Sequence, residues 1–543
     1  MDDPHWYKNA IVYALDVEKF YDSNDDGIGD LPGATEKLPY LADLGITVVW
    51  LLPIYPSPRR DNGYDISNYY DIDPRFGTTE DLIALVRRAG ELGLQVIMDL
   101  VVNHTSDQHP WFKASRLDSE SGYRDFYVWS SAPPPPPPGH ATMFPGSEDS
   151  VWTFDDVAQS YYFHRFYHFE PELNLRNERV RQAICDIADY WLSFGIAGLR
   201  LDAAVPMIRE KGQKGAIPAD PHETLREIYG FMQKRKPGAV LLGEVDVEPE
   251  DVPSFFKHDV QMNLFFNFYM SNYLFLGLAT EKAEVIARAL DMLPPLPPQC
   301  GWANFLRNLD ELDLERLDPD EREQTFASFA PKQNMRIYNR GIRRRLAPMM
   351  KGDQGRIIMA FSLLFSLPGA PMIVYGDEIG MGEDLSLPER QSVRTPMQWT
   401  SGRNGGFSNA RKDRLAAPVI EEGFFGIADI NVESQIENAD SLRSQIRKLC
   451  HLRREHSALT ESGPRLIETG DGSVLGIAYN LGERHLAILH NLSADPKMVE
   501  LGPIGTGVSR LTQVAGTPCL ADPDSHEIDL PAYGFGWFLS SRV

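Results

Sequence analysis

In AGLRLDAA (residues 197–204) an apolar run ends by setting Arg200 two places before Asp202. Successive side chains of a strand alternate faces, so this spacing puts the guanidinium and the carboxylate on one side and Leu201 on the other. A cation beside a carboxyl group keeps it ionised and oriented. Three further apolar runs end in an acid: QVIMD at Asp99, VLLGE at Glu244 and ANFLRNLD at Asp310. Asp202, Glu244 and Asp310 therefore offer what cleavage of a glycosidic bond requires: one carboxyl group to protonate the leaving oxygen, and another to attack the anomeric carbon or activate water. Alone, an Arg–Asp pair reads equally well as a structural strand cap. Beside three further strand-end acids it reads as a site.

The elements that carry these acids alternate. After Thr79, Leu82, Leu85, Val86, Ala89 and Leu92 recur at helical spacing, with Glu80 and Asp81 in the first turn and Gly93 at the end. Strands alternating with helices imply a parallel sheet, and an acid at the end of each of several strands fits a (β/α)8 barrel, whose active site gathers at the carboxyl ends of its strands. A doubly wound sheet would carry GxGxxG after a strand, and DGIGDLPG has the wrong spacing. Residues 1–103 and 177–454 are expected to form the barrel, with 357–374 a buried helix followed by a strand. The interval 104–176, rich in aromatics and turns and holding six consecutive prolines (Pro133 to Pro138), is expected to be an inserted domain after the third strand. From 455 to 543, short runs such as SVLGIAYN, HLAILHN and GFGWFLS predict a C-terminal antiparallel β-sandwich.

Composition narrows the partners. Against 53 Lys and Arg stand 77 Asp and Glu, a net charge of −24 that repels phosphate backbones and anionic membranes, so neither nucleic acid nor a membrane is an expected partner. The four cysteines form no CxxC pair, and the amino terminus lacks the basic-then-apolar order of a signal peptide, which fits a cytoplasmic protein. Oligomeric state is left open.

The motifs DLVVNH, GLRLDAA, GEVD and FLRNLD, in that order and one per strand, resemble the four motifs of the α-amylase superfamily of glycoside hydrolases and transglycosylases. The resemblance implies that Asp202 is the nucleophile, Glu244 the general acid/base and Asp310 the transition-state stabiliser, with Asp99, Asn103, His104 and Arg200 as their supports. WLLPIYPSPRRDNGYDISNYY, VVNHTSDQHPWF, RDFYVWS, GIRRRLAP, YGDEIGMG and VRTPMQW are similar to the trehalose-synthase group within that superfamily. That similarity implies a retaining enzyme acting on a small α-glucoside such as maltose or trehalose. The freed glucose would be held until it re-attacks through its own anomeric hydroxyl. Tyr64 would stack on the innermost sugar, and Asp65, His104, Arg200, Asp99 and Arg394 would complete its binding. Related α-glucosidases and transglucosylases share most of these stretches and form the alternative reading; a non-catalytic carbohydrate-binding relative is the reading outside enzymes. One departure stands out: the fourth motif usually reads Asn-His-Asp, and here it is Asn308-Leu309-Asp310.

A second constellation is DSNDDGIGD (22–30). Asp22, Asn24 and Asp26 at alternate positions, then Gly27, match the opening of a calcium loop, with the Ile28 carbonyl and Asp30 as further oxygen ligands. Gly33 stands at the twelfth position, so this is not an EF-hand but structural calcium in a βα loop, as in the resembling oligosaccharide-cleaving enzymes. No organic cofactor is expected. Similarity to trehalose synthases adds a candidate second ion through Asn103, Glu172 and a carbonyl near Glu210. His164 and His168 have metal-ligand spacing, but their aromatic neighbours read as a wall of the insert.

Overall fold

The computed structural model describes residues 4–542 except 133–141, 210, 212–220, 258, 457–458, 460–462, 483, 502–507 and 520–526. Eight short strands close a barrel: β1 (Val12–Leu15), β2 (Val48–Leu51), β3 (Gln95–Leu100), β4 (Gly198–Leu201), β5 (Val240–Gly243), β6 (Leu264–Phe266), β7 (Gly301–Phe305) and β8 (Ala370–Val374). Each pairs in parallel with its sequence neighbours, and β8 returns to β1 with Val12 beside Met372. Strands buried on both faces need apolar residues throughout, which is why these runs are continuous rather than alternating.

Helices cover the outside. The one after β2 spans Thr79–Glu91, starts at a Thr78–Asp81 capping box and ends before Gly93, whose φ of 75° suits only glycine comfortably. The apolar stretch at 357–374 folds as helix Gln354–Ser366 followed by β8. Between β5 and β6 the described residues make a 3-10 turn, Val252–Phe255.

Between β3 and β4 lie helix Pro110–Leu117 and a three-stranded antiparallel sheet of Trp129–Ser130, Trp152–Asp155 and Ser160–Phe163. The proline run is outside the described residues. A second small sheet, Leu312–Asp313, Arg336–Ile337 and Gly341–Ile342, follows β7 and has no counterpart in the sequence reading. The C-terminal region holds a five-stranded antiparallel sheet and a separate two-stranded pair, Lys497–Glu500 with Glu527–Leu530. Alternation divides the larger sheet's side chains. Leu489 and Phe538 pack toward the smaller pair, whereas Ile477, Tyr479, Ile488 and Trp537 face the barrel. There Trp537 Nε1 and His490 Nε2 meet the Ser362 hydroxyl at 2.8 and 2.9 Å.

Candidate active site

The carboxyl ends of β3, β4 and β5 converge on one guanidinium. Arg200 Nη1 donates to Asp99 Oδ1 at 2.7 Å and to Asp202, and Arg200 Nη2 lies 3.0 Å from Glu244 Oε2. Asp202 and Glu244 each follow directly on the last residue of a strand, and β4 and β5 are neighbours, so both carboxyl groups reach the same charge. Ala203, at φ +49°, holds a conformation that non-glycine residues seldom adopt and thereby donates its N–H to Glu244 Oε2 at 2.8 Å. Asp99 is fully buried beneath, taking Trp50 Nε1 at 2.9 Å. Burial pushes the Asp99 carboxyl up to about 7, against the pull of Arg200.

Electrostatics separates the three acids. Burial raises Glu244 above the ordinary glutamate range, Arg200 opposes this, and Asp202 adds to the rise. Burial raises Asp202 as well, against the pull of the touching Arg200. Burial would also raise Asp310, but Arg390 and Arg394 outweigh it and hold this carboxyl below the usual range. A Glu244 whose acid form is favoured by burial, beside an Asp310 held low by two arginines, fits the division of labour that acid-assisted bond cleavage needs.

Asp310 does not sit at its strand end. It stands five positions beyond Phe305, where β7 stops, and is fixed from outside the motif. Arg390 Nη1 and Arg394 Nη2 both reach Asp310 Oδ1, at 2.8 and 2.9 Å. Arg394, expected to bind sugar, is 1% exposed, gives its Nε to the Leu309 carbonyl at 2.8 Å and its Nη2 to Asp310, and keeps its Nη1 without a hydrogen-bond partner. Asp65 needs a similar correction. It is fully buried, its oxygens taken by the Ser57 hydroxyl at 2.7 Å and the Arg60 and Asp61 N–H groups. Its neighbour Asp61 instead pairs with Arg390 Nη2 at 2.7 Å, so Arg390 ties Asp61 to Asp310. Removing a hydrogen-bonded cation from two carboxylates costs roughly 1.5–3 kcal/mol per bond. Arg390→Ala should therefore lower kcat/KM at least about a hundredfold with Asp202 and Glu244 intact. Steady-state kinetics checks this, and a loss below tenfold would remove Arg390 from the site.

Tyr64 lies nearly buried, its ring 5.9 Å from the Arg200 guanidinium. Burial lowers His104 to about 4, leaving it neutral at pH 7, and its Nε2 has no hydrogen-bond partner, as a group awaiting a sugar hydroxyl would not. A vestibule of about 420 Å³ opens over Glu244 and Asp310, walled by Phe144, Phe166, Arg316 and Arg390. On its far side Asp246, Asp313 and Glu315 bring carboxylate oxygens within 4.8 Å of one another. Arg316 threads among them, 3.0 Å from Asp246 and 3.7 Å from Glu315.

The residues of the candidate calcium loop form one turn, but among the described residues Asp22, Asp26 and Asp30 do not bring their oxygens within 4.8 Å of one another as Asp246, Asp313 and Glu315 do. Asp22 Oδ1 accepts from the Asn24 and Asp25 N–H groups, Asn24 Oδ1 from Asp26 and Asp26 Oδ1 from Ile28, so alternate side chains fold back onto one turn. Asp30 caps helix Leu31–Leu44 through the Gly33 N–H. Among the described residues no salt bridge reaches Asp22, Asp26 or Asp30, and both Asp30 oxygens accept from Ser23. Gly27 is forced: at φ +100°, a Cβ there would stand 2.2 Å from the Arg414 carbonyl. The second ion does not fit. Lys211 Nζ occupies the ground between its ligands, 3.0 Å from Asn103 Oδ1, 2.7 Å from Glu172 Oε2 and 3.2 Å from the Leu173 carbonyl. Glu210 itself is outside the described residues. His164 and His168 do not pair: His164 is buried against Thr153 at 2.9 Å, and His168 meets Glu148 at 2.9 Å.

A closed parallel barrel with Glu244 and Asp310 lining one pocket, and Asp202 beside them on the shared Arg200, fits an enzyme of glycosidase or transglycosylase type. The alpha-amylase catalytic domain model matches residues 15–294 and 330–462, and the chain belongs to the alpha-amylase family. The model of the sucrose hydrolase-like C-terminal domain matches 482–539. The trehalose synthase/amylase of Mycolicibacterium smegmatis is 38% identical over 99% of this chain and 93% of its own length. The trehalose synthase of a Pimelobacter species is 37% identical over 99% of this chain and 96% of its own. Among solved structures, an alpha-amylase from H. orenii superposes with a TM-score of 0.77 at 28% identity, over 98% of this chain and all of that one. A trehalulose synthase has the same fold, with a TM-score of 0.80 at 24% identity over 98% of this chain and all of that one.

Proposed function

We propose that the protein interconverts maltose and trehalose by intramolecular glucosyl transfer with retention of configuration. The observation that carries this reading is the sharing of Arg200 by Asp202 and Glu244, which holds a carboxylate and a proton donor on adjacent strand ends. Full-length similarity to trehalose synthases supplies the choice of substrate.

The chemistry follows from the charges. The Asp202 carboxylate attacks the anomeric carbon of the donor glucose while the Glu244 carboxyl gives its proton to the glycosidic oxygen, so the C–O bond breaks and free glucose leaves. Asp310, ionised between its arginines, stabilises positive charge on the ring carbon as it develops. The released glucose turns within the vestibule. Glu244, now a carboxylate, takes the proton of its anomeric hydroxyl, and that oxygen displaces Asp202 from the glucosyl carbon. Two inversions at one carbon give net retention. A fluorinated glucosyl fluoride that forms the ester but releases it slowly should label Asp202, read by mass spectrometry of the digested protein. Labelling elsewhere would overturn the assignment. Because the acid form of Glu244 is favoured by burial, activity should persist into a pH range where an exposed glutamate is ionised, and fall as pH rises further.

A structural calcium ion belongs to the same proposal, held by Asp22, Asn24, Asp26, the Ile28 carbonyl and Asp30. It would neutralise the loop and fasten it to the segment at Ser408, whose hydroxyl donates to Asp22 Oδ2 at 2.5 Å. The loop carries none of the three catalytic acids, so the ion's part is stability. Thorough chelation should lower the melting temperature and calcium should restore it; an unchanged melting curve would remove the ion. A cytoplasmic location is proposed on the four cysteines, all buried and unpaired. Among the described residues no helix is long and apolar enough to cross a membrane.

A further inference from the structure

Beside the vestibule, and sharing Glu244, Asn308 and Asp310 with it, lies a recess of about 10 Å³. That is room for about one water-sized group. Tyr64 and Asn308 line it together with the acids, and the apolar part of its wall includes Ala14, Leu52, Phe305 and Leu309, with Phe266 alongside. None of these apolar side chains can donate or accept a hydrogen bond. The Leu309 carbonyl is already committed to Arg394, and the indole N–H of Trp50, another wall residue, to Asp99. Arg200, also in the lining, has both terminal nitrogens on carboxylates and only its Nε without a hydrogen-bond partner. A sugar hydroxyl turned toward the Leu309 side chain would lose water and gain no partner from it, whereas a bare ring carbon would bury apolar surface.

We propose that Leu309 sets donor specificity by leaving one ring hydroxyl unread, so that α-glycosides of the sugar deoxygenated at that position are substrates as good as the parent. This rests on the α-glucoside reading above. The class of ligand it adds is the monodeoxy α-glycoside. A hydrogen-bonding wall at the same place would reject a deoxy sugar by leaving its own buried donor unpaired, a penalty of about five- to a hundredfold. A leucine wall carries no such penalty.

The test measures kcat/KM for a series of aryl α-glucosides, each lacking one ring hydroxyl, with the parent enzyme, Leu309→His and Leu309→Gln. The glutamine variant offers an amide donor without a ring and serves if the histidine variant fails to fold. For one deoxy position, the parent enzyme should stay within about threefold of the full sugar, and either variant should fall about tenfold or more. The inference is overturned if every deoxy compound loses more than about tenfold in the parent enzyme, or if both variants leave all ratios unchanged. Calorimetric binding of the matching deoxy iminosugars gives the same ratios without turnover. Preserved binding ratios with no hydrolysis or transfer of any α-glucoside would support the role of Leu309 while overturning the functional reading.

Discussion

Asp202→Asn lowers kcat/KM on maltose by at least about 10⁴-fold, the scale seen when the nucleophile is taken from a catalytic unit whose members act together. The asparagine keeps the size and the strand-end position but cannot form an ester with the anomeric carbon. It also removes one of the three carboxylates on Arg200, leaving Asp99 and Glu244 to hold the guanidinium. The loss should therefore be chemical rather than structural: the unfolding curve stays close to that of the parent, and maltose still binds. Glu244→Gln, which removes only the proton donor, should cost about 10²–10⁴-fold and spare aryl glucosides whose leaving groups need no proton. Residual activity of Asp202→Asn above about one hundredth of the parent's would assign the nucleophile elsewhere.

Lys211→Ala gives the largest expected loss of stability. Both Lys211 and Glu172 are almost completely buried, and the ammonium satisfies Asn103, Glu172 and the Leu173 carbonyl at once. Breaking a buried pair from one side strands the other charge and costs about 3–5 kcal/mol. Removing both charges in Lys211→Met with Glu172→Leu should recover part of that loss, because the carboxylate leaves with its lysine and only the buried Arg165 loses an ion pair. Burial alone would raise Glu172, but Lys211 and Arg165 hold it below the ordinary range. A carboxyl group depressed in the folded state adds stability that is full above its unfolded value and lost as pH falls through the folded one. The alanine variant should therefore lose stability most above the carboxylate range and least in acid. Urea unfolding at several pH values measures both effects; a midpoint indistinguishable from the parent's would show that the lysine is dispensable.

Which residues the sequence could reveal depended on how local their signal was. Asp202 and Glu244 follow continuous apolar runs that must be buried strands, so their places at the barrel rim were readable from GLRLD and VLLGE alone. Asp310, beyond the end of β7, was readable only through its motif. Arg390 and Asp61 are 329 positions apart and adjacent only because the barrel brings the segment after β8 over the loop after β2. Two acids in one loop, Asp61 and Asp65, look alike in sequence; the turn that buries Asp65 under Ser57 decides between them. Lys211 lies in a stretch without periodicity, and its role as the cation between Asn103 and Glu172 is visible only when both are in place. Leu309 was legible as a departure from a motif, but the apolar company that gives it meaning comes from four different strands or their ends.

The most direct measurement is incubation of the pure protein with maltose, with trehalose, glucose and longer oligosaccharides resolved over time. The account predicts that trehalose accumulates as the main product, that trehalose supplied alone yields maltose, and that free glucose remains the lesser product throughout. Glucose or longer oligosaccharides as the main products, with no trehalose formed, would contradict intramolecular transfer and leave a hydrolase or an intermolecular transferase on the same three acids.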